Sequence, residues 1–293
     1  MLHFDQNEIR ELSPWIRGLT ALVDMSLSQN QLDTITEAIG ELPNLKKLNL
    51  ASNALLSVPP ELCCVTGIVS LNLDNNPLRS PPQEVVDAGF GMTMEYFTRF
   101  YQSMQSHALH LVSMGLKTFP VEAQIYTKLE HIDVGDNLIE QLPKSVGNHP
   151  ALLSLSVPNN QLRAVHKDIQ HLVHLRKLHL AFNRLANLPE TVSNLRCLEV
   201  LNLTENELCS LDSHVCKITT LTDLRVAHNR LESVSPDIGL LVNVQVPRPA
   251  ARPAQPRPAQ RPSRPARSAF RADAALPRAA APASGCADAR GAA

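Results

Sequence analysis

Residues 172–189 read LVHLRKLHLAFNRLANLP, and residues 42–59 read LPNLKKLNLASNALLSVP. Both stretches contain the frame L-x-x-L-x-L-x-x-N-x-L, in which the asparagine is position nine. This asparagine returns every 23 residues, with one interruption, at Asn7, Asn30, Asn53, Asn76, Asn137, Asn160, Asn183, Asn206 and Asn229. A fixed period of this length predicts a stacked solenoid of repeated units, and not the core of a globular enzyme.

Within each unit, positions four and six are aliphatic and alternate with polar residues. This period of two predicts one half-buried strand per unit, and successive strands would pair in a parallel sheet. The asparagine at position nine has a structural explanation, because its side chain can bond backbone groups that a turn leaves unpaired. We therefore assign all nine asparagines a structural role.

The second half of most units opens with a proline that is followed, three positions later, by an aliphatic residue, as in Pro143 and Val146 or Pro189 and Val192. Proline fixes the backbone angle φ and has no N–H to donate, so it disfavours a long helix. We expect an extended or 3-10 outer wall, with the aliphatic residues filling the interior from that side.

The period fails once, after Asn76. The next asparagine slot falls on Arg99, and the frame returns only at Met114, so that one unit is 15 residues longer than the others. The additional segment carries aromatic residues at helical spacing, which predicts a helix over residues 91–105. This helix either bridges and covers the edges of the repeats, or serves as a docking element or a hinge between two runs of repeats.

The 23-residue frame and the outer L-P-x-x-[IV] segment resemble the leucine-rich repeat family, and most closely its intracellular Ras-group branch, which includes Scribble-like scaffolds. The stretch NPLRSPPQEVVDAGFGMTMEYF, residues 76–97, resembles a segment that closes a block of repeats before a helix in such proteins. The expected fold is an α/β solenoid: a leucine-rich repeat horseshoe with a parallel concave sheet, an extended or 3-10 convex side and one helical insert. Ten strands at the spacing of a parallel sheet predict a concave face about 40 Å long.

We divide the chain into a first block of repeats that starts within a unit, a helical insert, a second block of repeats and an Ala/Pro/Arg-rich tail: residues 1–83, 84–105, 106–246 and 247–293. The tail has nine Arg and two Asp, a net charge of +7, whereas the preceding residues have a net charge of −8. With almost no large apolar residues, the tail is expected to be disordered. It is either the product of a frameshift or an unremoved intron, or a genuine tail that contacts acidic partners or proline-binding modules.

The six cysteines form no C-x-x-C pair and no capping cluster of the kind that secreted repeat proteins carry. No apolar stretch approaches the ~18 residues of a membrane span, and the first residues lack a basic-then-apolar leader. These features favour a cytoplasmic protein with reduced thiols and no transmembrane segment. The acidic repeats also argue against nucleic-acid binding, because they would repel phosphate.

The outward positions three, five and eight of successive units are predicted to form columns on the concave face. This face is polar and mixed in sign, and Phe182 is the one exposed aromatic residue predicted on it, a suitable anchor for a protein partner. The candidate protein-binding residues are His110, His131, Asp133, Asp136, Ser156, His179, Phe182, Asn202, Glu205, Arg225 and His228.

Three of these residues resemble a hydrolytic triad in composition only. The column places Asp133 between His110 and Ser156, whereas a triad needs the histidine in the middle. Three histidines between residues 171 and 179 fall on different walls of one unit, so they do not converge on a zinc ion. The sequence has no G-x-x-x-x-G-K-[ST] loop. We therefore predict no catalytic residues, no cofactor and no metal site.

The predicted function is a non-catalytic scaffold or adaptor in intracellular signal transduction that binds a partner protein on the concave face. The resemblance to the Ras-group branch implies a signalling partner such as a small GTPase or a phosphatase. The alternative is the recognition arm of a larger signalling enzyme, with a GTPase, kinase or ligase domain outside this chain. The columns do not identify the partner, and they leave the oligomeric state open.

Overall fold

Each repeat unit contributes one short strand to a parallel sheet and, in most units, one short helical segment to the opposite side. The computed structural model describes residues 1–244. Its strands are β1 (Leu2–His3), β2 (Asp24–Ser26), β3 (Lys47–Asn49), β4 (Ser70–Asn72), β5 (Ala108–His110), β6 (His131–Asp133), β7 (Ser154–Ser156), β8 (Lys177–His179), β9 (Val200–Asn202), β10 (Ser210–Leu211), β11 (Asp223–Arg225) and β12 (Ser233–Val234). The predicted solenoid, with one parallel strand in each unit, is confirmed. The expected disordered tail, residues 247–293, lies outside the described residues.

The outer side is built mainly of single turns of 3-10 helix. These turns are Pro14–Gly18, Glu37–Glu41, Pro60–Cys64, Lys144–Asn148, Lys167–His171, Glu190–Asn194 and Pro236–Leu240. The prolines that the sequence places there, such as Pro143 and Pro189, are extended, and the 3-10 turn begins with the next residue. The sequence predicted an extended or a 3-10 outer wall. In these units the proline itself is extended, and it precedes a 3-10 turn.

Four α-helices complete the described chain: α1 (Gln83–Asp87), α2 (Phe90–Ser106), α3 (Val121–Ile125) and α4 (Ser213–Cys216). The helix predicted over residues 91–105 is confirmed by α2. Its Tyr96 and Phe97 side chains are fully buried in the core, and Arg99 Nη1 donates to Val112 O at 2.7 Å. These contacts make α2 part of the packed core, which favours the bridging interpretation over a free docking element.

The concave face is not one continuous sheet. Strands β1 to β4 form a four-stranded sheet, strands β5 to β9 with β11 form a six-stranded sheet, and β10 pairs with β12. The expectation of a single face about 40 Å long is therefore wrong. The physical reason is α2, which lies between β4 and β5 in the chain and packs against β5. The pairing of successive strands stops at β4 and resumes at β5, and the long unit that contains α2 separates these two strands in the chain.

The position-nine asparagines link each unit to the one before it. The Asn183 amide nitrogen donates to Leu180 O and Ala181 O within its own unit, at 3.1 and 3.2 Å. It also donates to Val157 O in the preceding unit at 2.8 Å, and its oxygen accepts from Leu162 N there at 2.9 Å. The same four bonds recur at Asn30, Asn53, Asn76, Asn137, Asn206 and Asn229.

Met114 occupies the one asparagine slot that the frame loses, in the unit of β5. Its side chain is buried, and Asn137 of the next unit accepts from both Met114 N and Leu116 N, at 3.0 and 2.9 Å. No strand pairs with β5 on its other edge within the described residues. An asparagine there would have no preceding unit to bond, and an apolar side chain fills the slot instead.

We expect Asn137→Ala to lower the free energy of unfolding by about 3 kcal/mol or more, because it leaves two buried amides and buried carbonyls without partners. Asn7→Ala is the matched control. Asn7 is exposed and bonds only Phe4 O and Asp5 O within its own unit, so the loss there should stay below about 1 kcal/mol. Urea denaturation of both variants would measure the difference, and equal losses would contradict the role of the inter-unit bonds.

A buried polar cluster joins three segments at the interruption. Ser80 follows β4, Tyr96 lies in α2 and Glu122 lies in α3, and all three are buried. Ser80 Oγ donates to Glu122 Oε1. Burial raises the pKa of the Glu122 carboxyl, although the hydrogen bond from Ser80 opposes this effect. The folded protein therefore favours a protonated Glu122 more strongly than the unfolded chain does.

A carboxyl whose pKa is raised by folding contributes most to stability at low pH, and this contribution is lost as pH rises through the raised pKa. We expect Glu122→Gln to remove that loss, which cannot exceed about 1.4 kcal/mol per pH unit for one group. Thermal melting of both proteins between pH 4 and 8 would show the two profiles diverging above the ordinary glutamate pKa. Glu41→Gln, at an exposed position, should leave the profile unchanged, and parallel profiles for Glu122→Gln would contradict the prediction.

Candidate protein-binding face

The six-stranded sheet presents its residues in aligned columns. The strands pair in parallel without a register shift, so position five of each unit lies beside position five of the next. Neighbouring members are separated by the strand spacing of about 4.8 Å. The position-five column is His110, Asp133, Ser156, His179, Asn202 and Arg225. His131 lies in the adjacent position-three column, and all seven are candidate binding residues.

The four candidates at position eight do not lie in strands, which corrects the expectation that position eight is an outward strand position. Each strand ends at position five, and position eight adopts a left-handed backbone at Asp136, Phe182, Glu205 and His228, with φ between 54° and 56°. The turn directs the backbone amide of position eight to the next unit: Phe182 N donates to Thr204 O at 2.8 Å. These side chains therefore form a separate column at the edge of the strands. We call the three columns of the six-stranded sheet the sheet face.

Phe182 is the most unusual residue of the sheet face. Its side chain is 52% exposed, and its φ is 56°. Left-handed backbone is unfavourable for bulky residues and is tolerated best by glycine, asparagine and aspartate. Asn159 occupies the same position in the preceding unit. The fold thus holds an exposed aromatic ring where a small polar residue would suit the backbone better.

Sequence reasoning missed this backbone constraint. Position eight has a left-handed backbone in all ten units that the structure describes, from Gln6 to His228. Its residues are mostly short and polar, as at Ser52, Asn75, Asp136 and Asn159. That composition was the available signal for a left-handed turn. An aromatic residue at position eight, as at Phe182, departs from this composition, and this departure marks Phe182 in addition to its exposure.

The charges of the sheet face are largely paired with neighbours. Arg225 makes an ion pair with Asp223 in its own strand, with nitrogen–oxygen distances of 2.7 to 3.0 Å. Asn159 Nδ2 donates to Asp136 Oδ1 at 2.7 Å, and Asp133 Oδ1 accepts from Gly135 N at 3.1 Å. The face therefore offers polar groups of both signs around the aromatic ring: Asp133 and Asp136 in a preceding unit, and Asp223 with Arg225 in a following one.

His179 lies at the centre of this arrangement and is half-buried. Burial lowers its pKa, and the positive charges of Lys177 and Arg225 lower it further. Together these effects favour the neutral imidazole, although the charges of Asp133 and Asp223 oppose them. A neutral imidazole offers one hydrogen-bond donor and one acceptor, which suits recognition of a backbone amide or a polar side chain.

The register agrees with the argument against a hydrolytic triad. Asp133 pairs with His110 on one side and with Ser156 on the other, so the histidine and the serine are two strand spacings, about 9.6 Å, apart. This spacing keeps His110, Asp133 and Ser156 from forming a triad. Among residues 1–244, no three His, Cys, Asp or Glu side chains are grouped so that they could hold a metal ion.

Two segments of the chain, residues 1–55 and 127–185, match the family model described as "Leucine rich repeat". One segment includes β1 to β3, and the other includes β6 to β8. No curated protein matches the chain in sequence. Within the described residues, no helix is both long and apolar enough to cross a bilayer.

Solved structures that resemble the chain include a leucine-rich repeat protein of Leptospira interrogans, at 25% identity, with a TM-score of 0.47 and coverage of 82% of this chain and 57% of that one. The repeat ectodomain of the receptor kinase GASSHO1/SCHENGEN3 from Arabidopsis thaliana, in complex with CASPARIAN STRIP INTEGRITY FACTOR 2, has 22% identity, a TM-score of 0.41 and coverage of 80% and 27%. The plant peptide hormone receptor RGFR1, in complex with RGF2, has 20% identity, a TM-score of 0.40 and coverage of 83% and 42%. The chain thus spans less than two thirds of each of these solved chains.

We expect Phe182→Asn to raise the free energy of unfolding by about 0.5–1 kcal/mol, because asparagine tolerates the left-handed backbone that phenylalanine resists. The reverse change one unit earlier, Asn159→Phe, should lower it by a similar amount. Urea denaturation of both variants measures the two effects. A loss of stability for Phe182→Asn would mean that the ring packs on the fold more than it strains the backbone.

Proposed function

We propose that this protein is a non-catalytic scaffold or adaptor in intracellular signal transduction, and that it binds a partner protein on the sheet face. Leucine-rich repeat proteins commonly mediate protein–protein interactions, which supports the general class. The sheet face adds a rigid support, since its strands are paired in register and each unit is bonded to the next. A rigid surface loses little conformational freedom when a partner binds.

The observation that carries the proposal is the exposed ring of Phe182 on a left-handed backbone. Buried aromatic residues dominate the energy of many interfaces, and they cluster near the centre of the contact. Phe182 lies in the fourth of the six units, with Asn159 and Glu205 beside it in the column. A residue that costs folding energy and remains exposed is explained most simply by a contact that it makes with a partner.

The polar candidates would surround this anchor. His179 and Asn202 lie in the strands beside it, and Asp133, Arg225 and His228 lie farther out. Such a ring of hydrogen-bonding groups around an aromatic centre is typical of protein interfaces. A cytoplasmic location and a small GTPase or phosphatase as the partner rest on the resemblance to the Ras-group branch, and they belong to the proposal.

The test is quantitative affinity capture with the full chain as bait, in parallel with Phe182→Asn and Asp133→Asn. Both substitutions keep the fold: asparagine suits the left-handed backbone, and it retains an acceptor for Gly135 N at position 133. We expect a specific partner whose recovery falls at least tenfold with Phe182→Asn, since hot-spot residues contribute about 2 kcal/mol or more. Asp133→Asn should reduce recovery less.

Trp15→Ala is the matched control, because Trp15 is an exposed aromatic residue on a 3-10 turn of the outer side. It should leave the recovery of the partner unchanged. A partner that is lost with Trp15→Ala but kept with both sheet-face variants would contradict binding on the sheet face. Melting curves of all variants exclude loss of folding as the cause.

A further inference from the structure

A second concave site lies on the outer side, where the two runs of repeats meet. It is a cavity of about 440 Å³ that we call the junction groove. One wall comes from the outer turns of the first sheet, including Val58 and Pro60, and the other comes from α2 and α3, including Met104 and Ile125. A volume of this size accommodates one or two amino-acid side chains.

The walls of the junction groove are mainly apolar. Phe100 and Met104 of α2 are half-buried and form part of the lining, and Ile125 is 75% exposed at its edge. Tyr126 OH donates to Met104 O at 2.7 Å, which fixes α2 against the segment after α3. An aliphatic side chain inserted between these walls would remove exposed apolar surface from water.

Three glutamates line the same groove: Glu37, Glu61 and Glu122. No lysine, arginine or histidine of the described chain lines it. Glu122 is 3% exposed, and its Oε2 has no hydrogen-bond partner among the described residues. Glu61 Oε2 is likewise buried without a partner among them. The groove therefore holds buried carboxyl oxygens without partners, and no positive charge from the described residues lines it.

The charge of Glu37 also disfavours a charge on Glu61. Burial raises the pKa of Glu61, and the charge of Glu37 raises it further. A cation placed between the two would relieve the repulsion and would supply the missing donors. A guanidinium suits this role best, because its planar donors can bond two carboxylates at once.

We propose that the junction groove binds a segment of a partner protein that pairs an aliphatic side chain with arginine. The aliphatic side chain inserts between Met104 and Ile125, and the guanidinium bonds Glu37 and Glu61. Complementary charge selects this occupant, because Glu37 and Glu61 line the groove, no basic residue of the described chain does, and the repeat region as a whole is acidic. The groove lies on the outer side, so it would bind its segment separately from a partner on the sheet face.

The test uses the full chain with ¹³C-labelled Met and Ile methyl groups and the capped peptide acetyl-Gly-Leu-Leu-Arg-Arg-Gly-amide. We expect the methyl resonances of Met104 and Ile125 to shift on titration. In fluorescence anisotropy with a labelled form of this probe, replacing both arginines by glutamate, or both leucines by serine, should weaken binding at least tenfold.

Matched variants separate the groove from general charge attraction. Glu37→Lys and Ile125→Ser should each weaken binding of the arginine peptide about tenfold. Glu41→Lys changes the same charge on the same 3-10 turn, and Val69→Ser removes a comparably exposed aliphatic side chain elsewhere. Both controls should alter binding less than twofold, and melting curves should show that all four variants fold.

Three results would overturn the proposal. The first is equal binding of the arginine and glutamate peptides. The second is an equal effect of Glu37→Lys and Glu41→Lys, which would indicate attraction by net charge alone. The third is self-association in sedimentation velocity that Glu37→Lys abolishes while the peptide does not bind, which would assign the groove to a second copy of the chain.

Discussion

The structure depends on one repeated interaction, the side chain of the position-nine asparagine. It bonds two carbonyls of its own turn, as Asn183 does with Leu180 and Ala181, and a carbonyl and an amide of the preceding unit. Because these backbone groups are buried, each would be costly to leave unpaired. The same bonds hold the left-handed turn at position eight in place. The asparagine thus sets both how units stack and which residues stand exposed beside the strands.

The interruption after β4 has consequences on both sides of the molecule. On one side it ends the first sheet, so that all eleven candidate binding residues belong to the six-stranded sheet and its turns. On the other side, α2 and α3 pack beside the outer turns of the first block and leave the junction groove between them. The 15 additional residues therefore limit the extent of the sheet face, and the helices beside them form the junction groove.

Much of the fold was predictable because the repeat is strict. The strand positions, the stacking asparagines, the 3-10 outer wall and the helix of the long unit all follow from spacing. The break between the two sheets was not predictable. The repeat pattern resumes around Met114 with the same residue spacing whether or not β5 pairs with β4. The backbone at Phe182 was also missed, because the frame records which residues are apolar and not their φ angles. The burial of Glu122 was not predictable either, because it depends on how α2 packs.

By itself, the sequence determined that this chain is a parallel solenoid, because a 23-residue period with alternating aliphatic residues allows each unit to bury its core only against its neighbours. It also determined the order of residues along each column, and so excluded a triad at Asp133. Only the tertiary structure decided that β4 and β5 belong to separate sheets and that a groove lies between helices and outer turns. Both features depend on where α2 packs. The packing of an inserted helix against distant segments is not recorded in the repeat spacing of the sequence.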